Sequence, residues 1–137
     1  MKYQVIYFSK KGNTKKIAEA IASELGIEAE DVTDTKLKDN VFVFLGSGCY
    51  GGNPGKSMTK FIEDTTFNAR TAALFGTSGS GDGVDVKEME NILKNKEACI
   101  KDTFFCKGKF LFTNRGRPNN QDIEEAKKFA RRMIKEN

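Results

Sequence analysis

A chain of 137 residues, 38% hydrophobic and 31% charged, has material for one folded domain. It has no histidine, which removes Ser/His/Asp and Cys/His catalytic sets, and its three widely spaced cysteines (Cys49, Cys99, Cys106) form no C-x-x-C pair and fit neither a disulfide framework nor a zinc site. The net charge of +4 reads as a solvated surface interleaved with acids; with no aromatic-interleaved basic motif, no apolar run near the ~20 residues of a membrane span and no signal pattern, a cytoplasmic chain without nucleic-acid or membrane partners is expected.

In chain order, a first strand is predicted at about 2–8, ending on the apolar run Val5-Ile6-Tyr7-Phe8. A helix follows at about 14–25 with Ile17, Ala18, Ile21, Ala22 and Leu25 on one face and Gly26 as its C-cap. A short strand is expected at about 27–32. Residues 33–40 are polar and too few for a full crossover helix, so a loop or one turn should stand there. Val41–Leu45 is the strongest strand signal, apolar on both faces as in the middle of a parallel sheet. Further elements are a helix at about 55–64, a strand at 71–75, a helix at about 84–96 and a strand at about 98–106, resuming at 109–112. A final helix at about 121–135 has Asn120 as its expected N-cap. Strands alternating with helices imply parallel pairing and right-handed crossovers. The expectation is a single α/β domain over residues 1–137: three layers, a doubly wound five-stranded parallel sheet of order 2-1-3-4-5, and a second crossover helix that is short or absent.

Such sheets bind ligands beyond the carboxyl ends of their strands, at the switch point between the first and third. The connection after the first strand is Ser9-Lys10-Lys11-Gly12-Asn13-Thr14. Free N–H groups and the positive end of the dipole at a helix start suit a phosphate, and Ser9 and Thr14 add hydroxyls. An ordinary capped strand-to-helix turn has the same pattern, so this loop does not decide alone. Two more glycine-rich stretches, Gly46–Gly55 and Gly76–Gly83, also follow parallel strands and must reach the same rim. Two other motifs fail. Gly46–Gly51 matches G-x-G-x-x-G, but the next strand ends at Phe75-Gly76 without the acid that a dinucleotide site needs. Gly55-Lys56-Ser57 ends like a phosphate-binding P-loop, but the first glycine of that motif would be Tyr50.

The ordered set of three loops resembles the flavodoxin family over essentially the whole chain. The tail from Phe105 to Lys109 and from Gly116 to Asp122 resembles short flavodoxin-like proteins in particular. The resemblance implies non-covalent FMN. Its phosphate would lie on Ser9, Lys10, Lys11, Gly12, Asn13 and Thr14. One side of its ring would be flanked by Ser47, Gly48, Cys49, Tyr50, Gly51 and Gly52, with Tyr50 stacking on a ring face and the Gly51–Gly52 peptide as the redox-responsive element. Thr77, Ser78, Gly79 and Asp82 would line the other side. No metal is implied.

The sequence departs from the family twice. The 77–83 loop has no aromatic residue to cover the outer flavin face, and the net charge is basic where electron-carrying flavodoxins are acidic. An electron-transfer protein that shuttles one or two electrons to a redox partner protein or a small donor or acceptor ranks first. A flavin-dependent NAD(P)H or quinone reductase or oxidase-like enzyme with an open flavin face ranks second, with a ribonucleotide-reductase-activating flavoprotein as a specialised relative. A cofactor-free binding or regulatory protein on the same scaffold is the alternative of another class. Cys49 and Cys106 stay open between a redox-active thiol beside a flavin, its pKa lowered by lysines, and a structural role, ranked first, in which Cys49 lines a tight loop and Cys106 packs at a strand end.

Overall fold

A computed structural model describes residues 2–109 and 114–135. The elements are β1 (Lys2–Phe8), α1 (Asn13–Leu25), β2 (Ala29–Asp31), a 3-10 turn (Val32–Asp34), β3 (Val41–Tyr50), β4 (Asn53–Pro54), α2 (Lys56–Asp64), β5 (Thr71–Ser78), α3 (Val84–Asn95), β6 (Cys99–Lys107) and α4 (Asn120–Lys135). The sheet runs β2-β1-β3-β5-β6, parallel throughout, with β4 folded back antiparallel on the end of β3. The expected doubly wound order is therefore present, with one small strand added. The expected resumption of the last strand at 109–112 falls, beyond Lys109, outside the described residues.

Alternation along β3 builds both cores at once. Phe42 and Phe44 face a layer formed by Ile17 and Ile21 of α1 with Phe129 and Met133 of α4, where the Phe44 and Phe129 rings meet edge to face at 5.8 Å. Val43 and Leu45 face the opposite layer, with Met58 and Ile62 of α2 and Met89 and Leu93 of α3. A strand covered on both faces has to be apolar at every position, which is why it dominates the sequence signal.

Local capping sets the boundaries that differ from expectation. Gly26 closes α1 with a positive φ, and the Ile27 N–H returns to the Ala22 carbonyl at 3.0 Å. Residues 26 and 27 therefore complete the helix cap, and β2 starts later than expected. Asp31 ends β2 because its carboxylate accepts the Thr33 N–H at 2.9 Å and starts the 3-10 turn. The missing crossover helix is replaced by a clamp: buried Gln4 donates to the Lys36 carbonyl and accepts the Lys38 N–H, each at 2.9 Å.

At α4 the cap is Asn119, not Asn120, which is already helical. The Asn119 side chain accepts the Asp122 N–H at 2.9 Å, and Asp122 accepts the Asn119 N–H at 2.8 Å, a reciprocal capping box. Arg117 adds a hydrogen bond to Asp122 at 2.6 Å. Burial alone would raise the Asp122 pKa, but these donors outweigh it and hold the value below the ordinary one.

The two later glycine-rich stretches begin as strand, since β3 continues through Gly46–Tyr50 and β5 through Gly76–Ser78. Several of their glycines serve packing. A Cβ at Gly46 would lie 2.0 Å from the Phe75 ring, and one at Gly55 would lie 2.2 Å from Phe8. Gly46→Ala is therefore expected to overpack the centre of the sheet and to cost about 1–3 kcal/mol, read as a lower urea midpoint with an unchanged slope.

Candidate functional site

The carboxyl ends of β1, β3, β5 and β6 surround a cavity of about 170 Å³. Its walls come from four segments: Ser9, Lys10, Lys11, Asn13 and Thr14; Gly48, Cys49 and Tyr50; Thr77, Ser78 and Gly79; and Gly108 with Lys109. Of the expected site residues, Gly12, Ser47, Gly51, Gly52 and Asp82 stand outside these walls.

The first segment is built for an anion. Gly12, at φ 94°, turns the chain into α1 with a conformation that a side chain would strain, and its N–H is held by the Ser9 hydroxyl at 3.0 Å. The first N–H groups of α1 have no acceptor inside the helix. Thr14 is buried and its hydroxyl lies 2.9 Å from that of Thr77, which pins the start of α1 to the end of β5. Asn13 donates its side-chain N–H to the Lys109 carbonyl at 2.9 Å, so one residue of the loop holds the fourth wall in place.

Tyr50 leans over this loop. Its ring meets Phe8 edge-on at 5.8 Å, Lys10 Nζ lies 4.8 Å from its centroid, and its hydroxyl accepts the Lys10 backbone N–H at 3.2 Å. Burial raises the phenol pKa, partly offset by that N–H. Gly48 keeps the cleft open, because a Cβ there would come within 2.7 Å of the Tyr50 hydroxyl. Ser47 beneath it is fully buried; it accepts the Gly55 N–H and donates to the Gly48 carbonyl, both at 2.8 Å, and so shapes the strand end from inside. Gly51 and Gly52, both at positive φ, form the two-residue tip between β3 and β4. Asp82 is exposed and accepts the Val84 N–H at 3.3 Å.

Sequence reasoning missed three features. Gly108 and Lys109 form a wall, and Asn114 ties it across the rim by donating to the Gly79 carbonyl at 2.6 Å and the Gly108 carbonyl at 3.2 Å. In the sequence the 105–109 stretch reads as a strand end and as a family resemblance, and neither reading assigns it to the site. The third feature is Asp85, with no exposed surface and neither carboxylate oxygen hydrogen-bonded. Burial pushes its pKa up to about 6, partly offset by the backbone N–H groups of Asp85 and Val86. Its spacing carried a signal: Asp85 and Met89 share the i, i+4 face that α3 buries.

Cys106 has the strand-end place expected of it, whereas Cys49 belongs to β3, paired with Pro54 of β4, and not to a loop. Cys106 is buried at the end of β6, which pushes its pKa up to about 12. Cys49 is half-buried, and burial followed by the Asp85 charge raises its pKa. Among the described residues no cluster of acids and cysteines could hold a metal ion, and no helix is long and apolar enough to cross a membrane.

Comparison with known proteins agrees with this fold. Residues 4–133 match the model of a flavodoxin domain. An uncharacterised protein of Methanocaldococcus jannaschii is 32% identical over 136 residues, covering 90% of this chain and 91% of its own. A flavodoxin of Clostridium beijerinckii is 31% identical over 109 residues, 71% of this chain and 78% of its own. A flavodoxin structure from the domain Archaea superposes with a TM-score of 0.80 at 22% identity, over 95% of this chain and 94% of that one. The chain belongs to the flavodoxin domain family.

Proposed function

We propose that this chain is a cytoplasmic electron-transfer protein that binds FMN non-covalently in the cleft at the ends of β1, β3 and β5. The observation that carries the reading is the meeting, in one cavity, of the free N–H groups of α1 with Lys10, Lys11 and Lys109 and with an aromatic side chain, Tyr50. The donor set suits a phosphate dianion, and the strand end at Gly48 leaves room that any side chain would fill. Bound FMN supplies transfer of one or two electrons.

The chain's own residues bind and orient. Ser9 fixes the loop through Gly12, Thr14 and Thr77 anchor it to the sheet, and the lysines favour negative charge at the rim. The Gly51–Gly52 tip can rotate its peptide at low steric cost, since nothing lies within 4 Å of where either Cβ would stand. Tyr50 has two roles in opposition: its ring offers a stacking face, and its hydroxyl takes the Lys10 N–H that a phosphate oxygen would use. The partner is a redox protein or a small donor or acceptor.

The absence of an aromatic side chain in 77–83 favours a second reading, a flavin-dependent reductase whose outer flavin face admits NADH, NADPH or a quinone.

Titration of the apoprotein should quench FMN fluorescence with a one-to-one endpoint; FMN left fluorescent at micromolar protein would overturn the flavin reading. Tyr50→Ala should weaken FMN by about tenfold or less, the range of one aromatic contact, whereas Tyr50→Phe should bind at least as tightly as the parent because the competing hydroxyl is gone. Stopped-flow mixing of the FMN-loaded protein with NADH or NADPH separates the two readings: reduction no faster than that of free FMN leaves the carrier, and fast reduction supports the enzyme.

A further inference from the structure

Asp85 is the one buried side chain among the described residues whose polar atoms lack hydrogen-bond partners. It lies in the first turn of α3, and α3 packs against β3, β4 and β5. Its Oδ2 would be 2.5 Å from a Cβ at Gly76, so the space it fills exists because β5 has a glycine there. Gly76 is paired with Ser47, at the level where β3 enters the cleft. Two residues further on, Cys49 lines the cleft and feels the Asp85 charge, as does Tyr50 beside it.

We propose that Asp85 is the proton-uptake group of the cleft: its carboxylate takes one proton from solvent when an anionic ligand, FMN in the reading above, enters the cleft. The inference rests on that reading. The step is the conversion of carboxylate and solvent proton to carboxylic acid, with no electron moved.

No cation pairs with Asp85 among the described residues, so negative charge added nearby favours its protonated form. From β3 the facing titratable groups are Cys49 and Tyr50, and from the loop before α3 it is Asp82, an anion that opposes ionisation. β4 and β5 have no titratable side chain. The ionic residues of α2 (Lys56, Lys60, Glu63, Asp64) and of β6 (Lys101, Asp102, Lys107) make no ion pair with it among the described residues. A carboxylate with no cation to answer an incoming anion lowers its energy by protonation. With an ordinary value near 3.8 raised to about 6 in the fold, Asp85 is mostly ionised at pH 7 and has a proton to gain there; below pH 5 it is already protonated and has none.

The test is calorimetric titration of the protein and of Asp85→Asn with FMN, in buffers of different ionisation enthalpy, from pH 5 to pH 8. The phosphate of FMN has its own proton balance, which cancels in the difference between the two proteins. The parent should take up more protons than the variant near pH 7, the difference should vanish at pH 5, and the parent's affinity should fall as pH rises by at most about tenfold per unit, the limit for one linked proton. Equal proton uptake by the two proteins, both binding FMN, would overturn the assignment and leave the flavin reading standing. Failure of both to bind FMN would overturn the flavin reading and the coupling together.

One further measurement does not need the ligand. At pH 8, Asp85→Asn should speed alkylation of Cys49 by iodoacetamide severalfold while leaving exposed Cys99 unchanged; an unchanged Cys49 rate counts against the contact between Asp85 and the cleft wall. Should the variant fail to fold, infrared titration of the parent's carboxylic-acid band decides, with a buried acid titrating near 6 that shifts upward on FMN addition as the expected result, and no shift as the overturning one.

Discussion

The structure depends on β3 being hydrogen-bonded in parallel on both sides, to β1 and to β5. The register pairs Phe8 with Ser47 and Ser47 with Gly76, so three strands reach the same rim and end within three residues of one another. Parallel pairing then sends every following loop over that rim. The cleft is a consequence of this alignment, and a single buried contact locks it: the Thr14 and Thr77 hydroxyls, 63 residues apart in the chain, meet where α1 starts and β5 ends. Both groups are buried and satisfy each other, which favours one fixed geometry of the anion loop over a range of them.

What could be read from the sequence follows from this division of labour. The periodicities of β3, α1 and α4 report burial against layers, and burial is a local pattern, so these elements were legible with their core faces. The anion loop was legible because the transition from an apolar strand to a hydroxyl- and glycine-bearing helix start is itself local. Glycine was the ambiguous letter. Gly12 and Gly51 are turn residues with open space around them, while Gly46, Gly55, Gly76 and Gly83 make room for Phe75, Phe8, Asp85 and Phe105. Nothing in the local sequence separates the two uses, because the neighbour that needs the space is on another element. The same reason hid Ser47, whose hydroxyl is consumed inside the strand end, and Asn114, whose partners lie across the rim. The cap of α4 was misplaced by one residue because Asn119 and Asn120 are adjacent and identical in type; the partner three residues on, Asp122, distinguishes them.

Electrostatically the cleft is two-sided. The rim has Lys10, Lys11 and Lys109, able to meet an anion in water-exposed surroundings where their attraction is screened. The opposite side has one unpaired carboxyl in a buried setting, where its effect on Cys49 and Tyr50 is screened less. One charge in the interior can therefore weigh as much as several at the rim. A net charge of +4 is consequently a poor guide to the field that a ligand in the cleft experiences, and the basic composition alone does not determine how the site treats added negative charge.

Asp85 is also the place where the chain departs most plainly from what packing would choose. It stands on the buried face of α3, one turn before Met89 and beside Val86, in a space that a hydrophobic side chain would fill without desolvating a carboxylate. Helix starts do favour acids, but through exposed carboxylates hydrogen-bonded to free N–H groups, and here neither oxygen has such a partner and the exposure is nil. Because the folded-state value is raised from 3.8 to about 6, the cost to the fold is absent below about pH 4, grows between pH 4 and 6 and is fully present above that, at neutral pH included. A departure from local consistency that lies directly behind a cleft wall, and that the surrounding glycine at position 76 accommodates, is where a functional constraint is expected to override stability.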